Sequence, residues 1–111
     1  MNHTPKGLSP EIINKEEFYK AVLLLESIED CDDFFEDICT INELKLIAQR
    51  LHVAKLLKKG TTFNEIVKLT GASTTTISRV NRSLQYGSGA YTKILERLES
   101  TKNNFYKETR L

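Results

Sequence analysis

The residues best equipped for chemistry lie between Gly71 and Ser83, in the run Gly-Ala-Ser-Thr-Thr-Thr-Ile-Ser-Arg-Val-Asn-Arg-Ser. On a helix, Ile77, Val80 and Leu84 fall at i, i+3 and i+7 and define a buried side. At 100° per residue, Thr75, Ser78, Arg79 and Arg82 then face broadly the other way. That outward face carries cations and hydroxyls, and no acid occurs between Glu65 and Glu96. Such a face suits a polyanion. Short Ser and Thr side chains let a helix sit deep in a major groove, and Arg reaches guanine O6 and N7 or a phosphate. Free N–H groups at the helix start bind phosphate as well. The candidate contact set is Ser73, Thr74, Thr75, Thr76, Ser78, Arg79 and Arg82. The same outline also fits an αα-corner with a merely soluble face.

Other chemistry is thinly represented. Cys31 and Cys39 are too few for a disulfide framework, and with His3 and His52 they match no metal-ligand spacing. They read as idle reduced thiols, and no metal or cofactor is expected. No nucleophile–base pair, paired-carboxylate signature or phosphate loop stands out, so the chain does not read as an enzyme.

The elements that must position the outward face are all helical. Ser9-Pro10 resembles an N-cap followed by Pro at the first helical position. Asn14-Lys-Glu-Glu17 opens a helix whose Phe18, Ala21, Val22 and Leu25 form one apolar stripe. The acidic run Glu29–Asp33 is expected to end that helix and start a short second one, with Phe34, Phe35 and Ile38 on its apolar side. Thr40-Ile-Asn-Glu43 is a capping box opening the longest pattern, Leu44, Ile47, Ala48, Leu51, Ala54 and Leu57, which closes at Lys58-Lys59-Gly60. Leu46, Val53 and Leu56 make this helix apolar on more than one face, and in so short a chain a second copy is the natural cover. Thr62-Phe-Asn-Glu65 is another capping box, starting a short helix that stops at Thr70-Gly71. A tight turn there needs φ > 0, which Gly adopts without steric cost. Gly87-Ser88-Gly89 ends the hydroxyl-rich helix, and Ala90, Ile94, Leu95 and Leu98 mark one more. A short capped helix, a Gly turn and a second helix of this composition is the outline of a helix-turn-helix.

The chain's 111 residues make one domain. Its net charge of +1 conceals a division: residues 1–43 hold three Lys against eleven Asp or Glu, and residues 44–111 hold thirteen Lys or Arg against four Glu. The halves are therefore −8 and +9, as expected where the C-terminal part meets a polyanion or where copies of the chain associate. No apolar run suits a transmembrane helix and no signal peptide is legible, so a cytoplasmic protein is expected.

From Thr40 to about Leu98 the sequence resembles the Trp repressor family, in its YerC/YecD-like branch. The matching pieces are Thr40-Ile-Asn-Glu-Leu through Gln-Arg50, Leu-Leu-Lys-Lys-Gly60, and Gly71-Ala-Ser-Thr-Thr-Thr-Ile-Ser-Arg79-Val-Asn-Arg-Ser83-Leu. The resemblance implies an all-α, six-helix fold with a helix-turn-helix, in an intertwined homodimer with paired reading heads one DNA turn apart. The chain as a whole then reads as a single domain over 1–100, with dimerisation helices at about 10–59 and 89–99 and a helix-turn-helix at about 62–86, and the tail over 101–111 is expected to be flexible from its own residues. In the family a tryptophan corepressor meets an Arg from the long helix and one from the recognition helix, matching Arg50 and Arg79 here. Thr40 and Ser83 match further lining positions. Two features depart: the small Gly after the recognition-helix Arg is Val80, and the chain between Gly60 and Gly71 is one residue shorter.

The reading is a sequence-specific, double-stranded-DNA-binding transcriptional regulator, acting as a homodimer without tryptophan as corepressor. Two alternatives accompany it. One is a regulator gated by an acidic metabolite, or an amino acid smaller than tryptophan, bound by Arg50 and Arg79 in a candidate pocket of Thr40, Arg50, Arg79, Val80 and Ser83. The other is a protein-interaction module that has lost DNA binding.

Overall fold

The computed structural model describes residues 13–109, with side chains from 13 to 101. Ser9-Pro10, His3 and the end of the expected C-terminal tail lie outside the described residues. Every element among the described residues is a helix: α1 (Lys15–Leu23), α2 (Ile28–Ile38), α3 (Ile41–Lys58), α4 (Phe63–Thr70), α5 (Thr74–Tyr86) and α6 (Ala90–Thr109). The six-helix, all-α architecture is as the sequence implies. The chain divides into two compact units, Met1–Thr40 and Ile41–Leu111.

In the N-terminal unit, Asn14 caps α1 by accepting from the Glu17 N–H at 2.9 Å. The acidic run does not divide two helices as expected. It lies wholly inside α2, whose N-cap is Ser27, accepting from the Asp30 N–H at 2.9 Å. Asp30 in turn accepts from the Glu26 N–H at 3.0 Å, so the run's first acids satisfy and charge-complement the helix start. Phe18 stacks on Phe34 with ring centroids 6.3 Å apart, and Phe34 meets Phe35 edge-on at 5.4 Å. These rings join α1 to α2, yet neither helix has a buried residue.

The C-terminal unit has a true core: Val53 and Ala54 of α3, Ile66 of α4, Ala72 of the turn, and Ile77 and Val80 of α5. Leu56, Leu57, Val67, Leu84, Tyr91 and Leu95 pack around it. The core draws on the C-terminal half of α3, while Ile41, Leu46 and Ile47 at its other end are exposed. Gly60 closes α3 at φ +86°, with Thr61 N–H bonding Leu56 O at 3.1 Å and Gly60 N–H bonding Leu57 O at 3.0 Å. That is the paired bonding of a Schellman end, for which Gly is suited. Lys58 Nζ donates to Thr92 Oγ1 at 3.3 Å, linking α3 to α6. The backbone of α6 remains helical to Thr109, past the expected end near residue 99. No Gly or Pro follows Gly89 to interrupt it.

Candidate nucleic-acid interface

The site is assembled around the turn between α4 and α5. Thr62 caps α4 by accepting from the Glu65 N–H at 3.3 Å, and α4 ends at Gly71, whose φ of +73° is left-handed. Thr70 organises the corner with one hydroxyl. Its Oγ1 donates to Ile66 O at 2.7 Å and accepts from the Ala72 N–H at 3.1 Å. Gln49 Nε2 donates to Thr70 O at 3.1 Å, so α3 holds the corner from behind. Ala72 is buried in the core, and Ser73 starts α5 by accepting from the Thr76 N–H at 3.1 Å. The entry angle of α5 is thus fixed by a left-handed Gly, a back-bonded Thr, a buried Ala and a serine cap.

With Ile77 and Val80 buried and Leu84 packed on the core, the opposite side of α5 is exposed. Thr74, Thr75, Ser78, Arg79 and Arg82 line an open concavity of about 320 Å³. Five of the seven expected contact residues therefore share one surface. The remaining two, Ser73 and Thr76, are engaged with each other, the Ser73 hydroxyl donating to Thr76 Oγ1 at 3.1 Å. Ser73 remains exposed at the helix start.

A second concavity, of about 280 Å³, is lined by Arg50, Thr76, Arg79, Val80, Ser83 and Tyr91. It brings together four of the five expected ligand-pocket residues. Thr40 belongs to the N-terminal unit and is not among its walls. Val80 lines the pocket while being only 3% exposed, because it also packs in the core. Arg79 borders both concavities. Among the described residues Arg50, Arg79 and Arg82 have no ion-pair partner; the salt bridge found there is Lys20–Glu16, at 3.2 Å. Guanidiniums without an ion-pair partner beside hydroxyls, with no carboxylate in either lining, give both concavities a chemistry suited to an anion.

Tyr91 is the pocket wall that the sequence patterns above do not single out. It stands four residues before Leu95 and seven before Leu98, so the α6 apolar stripe extended backwards reaches it. No helical period within α5 points to Arg50, which reaches the pocket from another helix.

The Trp repressor protein family profile matches residues 14–99. The chain is 48% identical over 86 residues to the uncharacterized protein YerC of Bacillus subtilis strain 168, covering 78% of this chain and 83% of that one. The crystal structure of a TrpR-like protein from Eubacterium eligens superposes with a TM-score of 0.74 at 50% identity, covering 76% of this chain and 87% of that one. A second crystal structure, of a candidate Trp repressor from Staphylococcus aureus, gives a TM-score of 0.75 at 52% identity, covering 77% and 85%. A profile match across most of the chain, and relatives near half identity on the same fold, agree with the helix-turn-helix described above: the chain belongs to the Trp repressor family, in its YerC-like branch.

Proposed function

We propose that this protein is a sequence-specific, double-stranded-DNA-binding transcriptional regulator that acts as a homodimer and does not use tryptophan as corepressor. The observation that carries the reading is the acid-free outward stripe of α5, where Thr74, Thr75, Ser78, Arg79 and Arg82 form one open surface beside a hydrogen-bonded turn. Membership of a regulatory helix-turn-helix family supports it. The dimer is supported by what the single chain leaves uncovered: Leu23, Leu24 and Ile28 in the N-terminal unit, and Ile41 and Ile47 on α3, are each about half exposed or more. Covering these side chains with a second copy would remove apolar area that the single chain leaves in water. Selection of bound duplexes from random DNA, at a stated salt concentration, tests the reading. A shared sequence with two-fold symmetry is the expected result. Absence of DNA binding at low salt would instead favour the protein-interaction module.

The meeting of Arg50 and Arg79 in one pocket favours a second reading, a regulator gated by a small acidic metabolite. Thermal stabilisation by a metabolite panel tests it.

A further inference from the structure

The outward stripe of α5 does not stop at Arg82. At 100° per residue, Tyr86 returns to within about 40° of Thr75, Arg79 and Arg82 on the helix circumference. It is the last residue of α5 and is 80% exposed. Among the described residues its ring has no aromatic partner and its hydroxyl no hydrogen-bond partner. The chain turns away directly after it: the Gly87 N–H bonds Ser83 O at 2.9 Å, and a Cβ at Gly87 would collide with that oxygen.

Position along the axis indicates what the ring meets. Tyr86 lies eleven residue steps beyond Thr75, about 16 Å at the helical rise. A major groove is about 12 Å wide. If α5 crosses the groove with Thr75 over base edges, this span carries Tyr86 to the sugar–phosphate wall. A phenol there presents a neutral O–H donor, one of the groups that bind phosphate oxygens, on a ring that gains cover from the backbone.

We infer that Tyr86 is a further DNA contact, its hydroxyl donating to a backbone phosphate at the edge of the groove read by the start of α5. The inference rests on the DNA-binding reading and adds a register-setting residue to it. A neutral donor displaces no counterion, so its loss and the loss of an arginine leave different marks.

The test compares wild type, Tyr86→Phe and Arg82→Ala on the selected duplex and on an unrelated duplex, across a salt series, with melting temperatures alongside. Tyr86→Phe is expected to melt like wild type and to bind both duplexes roughly 3- to 10-fold more weakly, the worth of one hydrogen bond. Its salt slope should match that of wild type, whereas Arg82→Ala should flatten the slope by about one unit. Wild-type binding with an unaffected Tyr86→Phe would overturn the Tyr86 contact and leave the DNA reading standing. A loss confined to one base-pair position would overturn the phosphate assignment. Failure of wild type to bind any duplex would remove the DNA reading and this inference with it.

Discussion

Arg50 of α3 and Arg79 of α5 open onto one pocket of about 280 Å³, and Arg79 also borders the outward concavity on the exposed side of α5. One guanidinium thus borders both concavities, while Arg50 borders the inner one alone. Arg79→Gln should weaken DNA binding, whereas Arg50→Gln should leave it unchanged. Any thermal stabilisation by an acidic metabolite should disappear in both variants. Titrations with fluorescent duplex, and melting with and without metabolite, check the pair. Equal loss of DNA affinity in both variants would place Arg50 on the DNA side as well.

Two glycines at the borders of α5 matter for different reasons, and one substitution series separates them. Gly71 has φ +73°, and a Cβ added there would meet open space, so only its backbone conformation demands Gly. Gly71→Ala should cost about 1–2 kcal/mol, and Gly71→Asn less, since Asn tolerates the left-handed region. Gly87 has an ordinary φ of −84°, but a Cβ there collides with Ser83 O. Gly87→Ala and Gly87→Asn should therefore destabilise alike. Denaturation midpoints of the four variants check this; an Asn rescue at Gly87 would contradict the collision.

The corner around Gly71 is the most legible part of the chain because its signals are local. The Thr62 capping box, the left-handed Gly and the outward Thr-Arg face each depend on residues within one or two turns. Ser27 is hidden by the acidic run beside it, which offers several equally good helix starts. Arg50 and Tyr91 line one pocket because α3, α5 and α6 pack against one another, and no helical period encodes that packing. The close approach of Gly87 to Ser83 O is likewise a matter of backbone path.

The acidic face of α2 gives a pH dependence. Glu36 is raised above its ordinary value of 4.5, first by its hydrogen bond to Asp32, then by the Asp32 charge, with slight desolvation and the charges of Asp33 and Asp37 adding to it. The folded state therefore holds that proton more tightly than the unfolded chain. Its stabilising contribution is full below pH 4.5 and is lost as pH rises through the elevated folded value. Glu36→Gln should consequently melt higher than wild type at pH 7, and the two should converge below pH 4.5. Melting curves across that window check the sign; a variant that melts lower at neutral pH would contradict it.

Self-association should be readable from the exposed apolar residues. Leu24 is 78% exposed in the N-terminal unit and Ile47 is 48% exposed on α3. If the helices between Phe18 and Leu57 form an entwined interface, it should bury over about 2,000 Å² and persist at micromolar concentration. Leu24→Glu and Ile47→Glu should each break the dimer, because a carboxylate would enter a desolvated surface. Sedimentation velocity at micromolar protein checks both; a monomeric wild type would refute the interface.

Tryptophan should be neither needed nor bound. The family resemblance places a corepressor's flat indole against the recognition helix, beside a residue that has no side chain in the family. Here that residue is Val80, buried in the core with Val53 and Ala54 of α3 while also walling the Arg50–Arg79 pocket. A β-branched side chain has few rotamers with which to step aside. Its neighbours in a packed core leave it little room to use them. Forcing an indole onto those methyls should cost about 1–3 kcal/mol, roughly a 5- to 150-fold loss of affinity. The same methyls brace α5 against α3, the job a ligand would otherwise do, so DNA affinity should be equal with and without millimolar L-tryptophan. Calorimetry and duplex titration check both halves; saturable tryptophan binding with a matching gain in DNA affinity would sink the idea. Val80→Gly should open the wall at some cost in helix stability. If both Arg side chains can then converge on one carboxylate, that variant should gain measurable tryptophan binding. If it stays folded and gains none, the shortened stretch between Gly60 and Gly71 has set the arginine pair for a different anion.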